Sequence, residues 1–328
     1  MLLEVKNLKK IYPNKRNTFL KQTGYTHAVN GVSFSLDKGK TLGLVGESGS
    51  GKTTTGKLVL RLIEATEGEV YFNGIPIMGL SKKEMVAKRK DMQIIFQDPY
   101  GSMNPKMTIA NIIGEPFEIH KNMSKKERRN ASAELLNRVG LSDRYLDHYP
   151  HEFSGGQKQR ICIARAIALK PQFIVCDEAV SSLDVSTRAQ IIELLIELQT
   201  SFGISYLFIT HDLNTAKHIC DHIAVMFNGK IVEKAKAKNL FDNPLHPYSK
   251  SLLAAIPVPD PFIKRERNCT TFDNIADNPE NKKGCSFYNR CTEAINICNK
   301  EAPELIEVAN DHFVSCHKAA KPQPIQIP

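Results

Sequence analysis

The stretch best equipped for chemistry is Gly46-Glu47-Ser48-Gly49-Ser50-Gly51-Lys52-Thr53, with Thr54 directly after it. Its glycines let the backbone curl until successive N–H groups face one polyphosphate. Lys52 adds a point charge, and the Thr53 hydroxyl can ligate Mg²⁺. A second group is the carboxylate pair Asp177-Glu178, placed behind the apolar run Phe173-Ile174-Val175-Cys176. One carboxylate of such a pair can hold Mg²⁺ against phosphates while its neighbour polarises a water as general base. Gln97 and His211 follow two further apolar runs, Met92 to Phe96 and Ser205 to Thr210. The Gln97 amide can touch both Mg²⁺ and water, and His211 can donate a hydrogen bond to a terminal phosphate. Singly, each group has a bland reading: a Gly/Ser turn, a capped carboxylate pair, a strand-terminal Gln, a structural His. Their convergence implies a nucleoside triphosphate site.

The glycine-rich stretch follows Thr41 to Val45 and precedes a helix-compatible segment, Thr54 to Leu62. Strand, loop and helix start supply the dipole end and inward N–H groups that phosphate needs. The four apolar runs read as strands of an open parallel sheet, whose carboxyl ends carry the ligand groups on one crest. The first ~40 residues read as β-structure by alternation, with a polar loop from Pro13 to about Thr26. Asn-Gly turns at Asn73-Gly74 and Asn228-Gly229 predict two hairpins. Residues from about 105 to 170 read as mostly helical, with breaks at Gly114-Glu115-Pro116 and Tyr149-Pro150. A further helix is expected from Ser186 to Gln199, with its apolar stripe at Ile191, Ile192, Leu195 and Leu198. The fold class is α/β.

The chain has 328 residues, room for one large or two medium domains. No apolar run approaches the ~20 residues that span a bilayer. Glu4 and Lys6 stand where a signal peptide needs apolar residues. The expectation is a soluble, cytosolic chain that works at a membrane only as a peripheral subunit. The net charge of +9 is scattered, and Trp is absent. Without interleaved basic and aromatic residues, nothing points to nucleic acid.

Ser154-Gly155-Gly156-Gln157 forms a capping box, with Ser154 as N-cap and Gln157 three residues on. A Ser-Gly-Gly helix start is also a phosphate-binding device. With Lys158-Gln159-Arg160 after it, and the Asp177-Glu178 strand beyond, this stretch resembles the signature motif of ATP-binding cassette (ABC) ATPases. The similarity covers residues 1 to about 255. It implies a P-loop NTPase cassette: a RecA-like parallel sheet core, an antiparallel β subdomain and a helical subdomain at about 100–170. Gln97 matches the family's Q-loop, Ser182-Leu183-Asp184 its D-loop and His211 its switch histidine, while Tyr12 falls at the adenine-stacking position. Phe153 departs from the commoner Leu and leaves the Ser-Gly-Gly geometry untouched. The resemblance further implies two cassettes packed head to tail, each ATP lying between one phosphate loop and the partner's signature serine.

Beyond about residue 240 the composition shifts. The run Ile256-Pro257-Val258-Pro259-Asp260-Pro261 reads as a linker, and five of the eight cysteines follow it. In a cytosolic chain such a cluster argues for metal before disulfides. Five, six and seventeen residues separate Cys285, Cys291, Cys298 and Cys316, which matches neither the usual zinc nor the ferredoxin spacing. Spacing alone leaves a four-thiolate site of open metal identity. His246-Pro247-Tyr248-Ser249 with these cysteines is similar to the C-terminal extension of oligopeptide and dipeptide importer ATPases, and Phe96 to Pro105 resembles the second ATPase of their pair. That resemblance implies a [4Fe–4S] cluster on Cys285, Cys291, Cys298 and Cys316, with Cys269 outside the pattern. It also implies a second cassette ATPase as heterodimer partner, two permease subunits, an extracytoplasmic solute-binding protein, and a place on the cytoplasmic face of the inner membrane. The expected division is a cassette at 1–255 and an extension at 256–328. Same-branch importers of nickel or glutathione, and soluble cassette ATPases, are the rival functions.

Overall fold

The structure is a computed structural model that describes residues 1–13, 24–256 and 283–319. Most of the polar segment after Pro13, most of the proline-rich run from Ile256 to Pro261, and Cys269 lie outside the described residues.

Strands β1 (Leu3–Pro13) and β2 (Tyr25–Leu36) pair antiparallel, and β3 (Thr41–Val45) leads into helix α1 (Lys52–Val59). Strands β4 (Glu67–Phe72) and β5 (Ile75–Pro76) turn on Asn73-Gly74 and complete a four-stranded sheet in the order β2-β1-β4-β5. Helix α2 (Lys82–Arg89) precedes β6 (Met92–Ile95). A helical region follows, built from α3 (Ile109–His120), α4 (Lys125–Arg138) and α5 (Gly155–Ile167). The chain then alternates through β7 (Phe173–Asp177), α6 (Val185–Phe202), β8 (Ser205–Thr210), α7 (Leu213–Ile219) and β9 (His222–Phe227). Strand β10 (Lys230–Lys236) runs back antiparallel, and helices α8 (Ala237–Asp242) and α9 (Pro247–Ala254) follow.

Five strands, in the order β9-β3-β8-β7-β6, are mutually parallel: the four apolar runs read as parallel strands, joined by β9, which the sequence marks only as part of a hairpin. Their residues alternate between two cores because both faces are covered. In β7, Ile174 and Cys176 enter the core with the helical region, whereas Phe173 and Val175 enter the core beneath the antiparallel sheet. Tyr206 and Phe208 against Leu207 and Ile209 repeat the pattern in β8. The tail adds to this sheet: β11 (Ile306–Ala309) and β12 (His312–Val314) pair with each other, and β12 pairs with β10 through Glu233↔Val314. The expected extension therefore lies against the same eight-stranded sheet.

One expected break does not occur. Helix α3 continues through Gly114-Glu115-Pro116. Pro116 forfeits one interior hydrogen bond, at a cost of about 3 kcal/mol. Ile109, Ile112, Ile113 and Phe117 are all buried, at about 1.5–3 kcal/mol each, so burial outweighs the loss. The break at Tyr149-Pro150 is present as a short 3₁₀ turn, Pro150–Glu152.

Candidate functional site

The crest of the parallel sheet holds a cavity of about 730 Å³. Ser48, Gly49, Gly51, Lys52, Thr53 and Thr54 form its floor, and Gln97, Glu178 and His211 reach it from the ends of three other strands. Gly51 caps α1 in the left-handed region at φ 102°, where a Cβ would also run into the Ala28 carbonyl. Glycine is the residue that meets both demands. Helix α1 thus begins at Lys52, and its N-terminal amides border the cavity.

The side chains of the crest are already connected. The Lys52 ammonium donates to the Gly46 and Glu47 carbonyls at 2.8 and 2.7 Å. The Thr53 hydroxyl donates to the Asp177 carboxylate at 2.7 Å. Burial lowers the Lys52 pKa, opposed by the charges of Glu178 and Asp177. Burial also raises the Asp177 carboxyl above its usual range, with the Thr53 bond pulling back. A divalent cation between Thr53 and Asp177 would relieve that cost, so the donor set fits Mg²⁺. Glu178 adopts a positive φ of 48°, and its amide donates to the Ile209 carbonyl at 2.9 Å. Its Oε2 accepts from Gln97 Nε2 at 3.0 Å and stands 3.4 Å from His211 Nδ1. Three expected groups therefore meet at one carboxylate oxygen.

Other expected residues sit apart from this cavity. Tyr12 is 40% exposed on β1, opposite Thr26, with the Lys10 ammonium over its ring at 5.0 Å. Thr26 lines the cavity, whereas Tyr12 does not. Ser154 caps α5 and accepts from the Gln157 amide at 3.3 Å, the capping box read from the sequence. Ser154 and Gly155 are exposed, and Gly156 packs so closely on Thr187 that a Cβ would collide with its methyl group. Asp184 caps α6, accepting from Ser186 and Thr187, which hold its carboxyl well below the usual range. Sequence reasoning missed His27, Asn228 and Gly229, which form the opposite wall. The Gly229 amide donates to the Ser50 carbonyl at 2.9 Å, so the Asn-Gly hairpin turn braces the phosphate loop.

In the tail, Cys285, Cys291, Cys298 and Cys316 are free thiols lining one small cavity with His246, Phe287 and Pro303. Burial, with the like charges of the other three thiols, pushes Cys285 up to about 11. Among the described residues, no three His, Cys, Asp or Glu side chains are grouped closely enough to hold a metal ion.

A glycine-rich loop on a parallel sheet, facing Asp177, Glu178, Gln97 and His211, is the constellation of an ABC ATPase, and the comparisons agree. Residues 29–181 match the model of the ABC transporter family, and residues 232–298 match that of the oligopeptide/dipeptide transporter C-terminal region. The oligopeptide transport ATP-binding protein AppF of Bacillus subtilis (strain 168) is 47% identical over 320 residues, covering 96% of this chain and 97% of that one. The dipeptide transport ATP-binding protein DppF of Haemophilus influenzae is 43% identical over 316 residues, 96% of each chain. Among solved structures, the dimeric post-hydrolysis state of the cassette MJ0796 bound to ADP and Pi matches with a TM-score of 0.64. It is 30% identical and covers 72% of this chain and 99% of that chain. The chain belongs to the ABC transporter ATPases, in the oligopeptide/dipeptide branch of ATP-binding subunits.

Proposed function

We propose that this chain is the ATP-hydrolysing subunit that energises import of di- and oligopeptides by an ABC transporter. The observation that carries the catalytic part is the meeting of Gln97 and His211 on one oxygen of Glu178, beside Lys52 and the Thr53–Asp177 pair. ATP lies on the Gly46–Thr54 loop, with the adenine reaching past the cavity rim at Thr26 toward Tyr12, its neighbour on the adjoining strand. Thr53, Gln97 and Asp177 would hold Mg²⁺, which shields the β- and γ-phosphate charge when bound. Glu178 takes the proton of the attacking water, Gln97 orients that water, and His211 donates to the γ-phosphate. Ser154, Gly155, Gly156 and Gln157 serve the site of a second cassette, with Asp184 at the same joint. The exposure of Ser154 and Asp184 supports this, as does the dimeric state of the related MJ0796 cassette.

No helix among the described residues is long and apolar enough to cross a membrane. By its branch of the family, the subunit works as a peripheral protein at the cytoplasmic face of the inner membrane, on two permease subunits fed by an extracytoplasmic binding protein. Its second cassette is a related ATPase, giving a heterodimer. The peptide assignment rests on the branch: the relatives named above carry oligopeptide and dipeptide transport in their names, which favours peptides over nickel or glutathione. The cassette occupies residues 1–255 and the cysteine-bearing extension 256–328. The four cysteines share one small cavity without grouping closely enough to hold a single ion, and on the family resemblance Cys285, Cys291, Cys298 and Cys316 would hold the [4Fe–4S] cluster. Gentle solubilisation of native membranes carrying the tagged chain tests the assembly. Co-purification with two multi-span permeases and a second cassette is the expected result. Recovery only in the soluble fraction, with ribosomes or nucleic acid, would overturn it.

A further inference from the structure

The cysteine-bearing tail reaches the nucleotide site through one side chain. Arg290 lies in the turn Tyr288–Arg290, between Cys285 and Cys291. Its guanidinium donates two parallel hydrogen bonds to the Glu47 carboxylate, at 2.9 and 2.7 Å. Glu47 is the second residue of the phosphate loop, and its main chain is held from both sides. Its amide donates to the Tyr248 phenol oxygen at 2.9 Å, and its carbonyl accepts from the Lys52 ammonium at 2.7 Å. The guanidinium itself rests over the rings of Phe227, Tyr248 and Phe287, at 5.2, 5.9 and 5.7 Å. Tyr248 and Phe287 are each 1% exposed, so this platform is rigid.

Exposed ion pairs contribute little on average, but this one has the geometry that makes an exception. The bond is bidentate, the Arg290 side chain is only 15% exposed, and three aromatic rings fix its plane. Lysine could supply the charge but not the fork. Anchoring the Glu47 side chain, with its amide already held by Tyr248, restricts the residue whose carbonyl accepts from Lys52. Order imposed before binding lowers the cost of closing the loop on a polyphosphate.

We propose that Arg290 is a positioning residue for nucleotide binding at the phosphate loop. Together with Tyr248 it clamps Glu47 and holds the phosphate loop ready for ATP, so nucleotide affinity depends on the packing of the cysteine-bearing turn. The test uses the full-length chain within its transporter complex. Steady-state hydrolysis of Mg-ATP gives KM and kcat, and titration with Mg-ADP gives Kd. Arg290→Gln raises KM and Kd by about 3- to 10-fold and leaves kcat within about twofold, because Arg290 touches no reacting atom. Arg290→Lys falls between that variant and the parent. The double variant Arg290→Gln/Glu47→Gln is no worse than the more impaired single variant, since each substitution alone already breaks the bidentate ion pair. Parent-like KM and Kd in Arg290→Gln, a fall in kcat at constant KM, or penalties that simply add would each overturn the proposal. Should Arg290→Gln fail to fold, Arg290→Lys keeps the charge but loses the fork, and parent-like KM and Kd there overturn the proposal equally.

Discussion

Glu178→Gln separates the chemistry of the site from its capacity to bind. The substitution is isosteric and leaves the backbone at φ 48° undisturbed. The new carboxamide can still turn its oxygen toward Gln97 Nε2, now 3.0 Å from the carboxylate. What disappears is the proton acceptor beside His211. General-base catalysis contributes about 10²- to 10⁴-fold, or roughly 3–5 kcal/mol of barrier. The groups expected to carry ATP affinity, Lys52 and Thr53, make their bonds to Gly46, Glu47 and Asp177 and none to Glu178. Removing the Glu178 charge also lessens repulsion of phosphate, so Kd for ATP stays level or tightens. Single-turnover hydrolysis with bound Mg-ATP, alongside a nucleotide-binding titration, reads both quantities. Turnover within tenfold of the parent, or binding lost together with hydrolysis, would refute the assignment of Glu178 as base.

Gly51→Ala should abolish nucleotide binding, measured by Mg-ADP titration, because φ 102° and the Ala28 carbonyl leave no room for a Cβ. Glu233 is fully buried and accepts from the Leu245 and His246 amides at 2.8 and 2.9 Å, with His312 Nε2 at 2.7 Å. Glu233→Ala strands those partners and should cost about 2–4 kcal/mol in urea unfolding. Burial pushes the Glu233 carboxyl up, but these bonds outweigh it and hold its pKa below the ordinary value of 4.5. The stability it contributes is therefore present above about 4.5 and lost as pH falls through the lowered pKa, a loss the parent shows and Glu233→Gln lacks. Anaerobically purified chain should contain iron and acid-labile sulfide that Cys291→Ser loses; zinc in their place would contradict the cluster.

Much of the site is legible in the sequence because its chemistry sits at the ends of contiguous apolar runs. Asp177, Gln97 and His211 can be placed on one crest once β7, β6 and β8 are read as parallel strands, since strand direction alone aligns their carboxyl ends. The phosphate loop is legible for a different reason, as its glycines and Lys52-Thr53 are contiguous. The wall made by Asn228-Gly229 is hidden, because it acts through a turn's backbone and an Asn-Gly pair reads only as a hairpin. Strands β11 and β12 have four and three residues, too short for alternation to register. Helix α3 runs through Pro116 because tertiary burial of its apolar face overrides a local breaker. The Arg290–Glu47 bridge joins two ordinary charged residues 243 positions apart, and no local pattern marks such a pair.

This cassette converts ATP hydrolysis into peptide import. Reconstitution of the purified complex in proteoliposomes tests it most directly, with binding protein and a labelled short peptide on one side and Mg-ATP on the cassette side. Peptide should accumulate only with ATP, and hydrolysis should be stimulated by peptide-loaded binding protein, with both lost when this subunit carries Glu178→Gln. Peptide movement that persists with that variant, or hydrolysis indifferent to peptide while another solute stimulates it, would rule out this coupling.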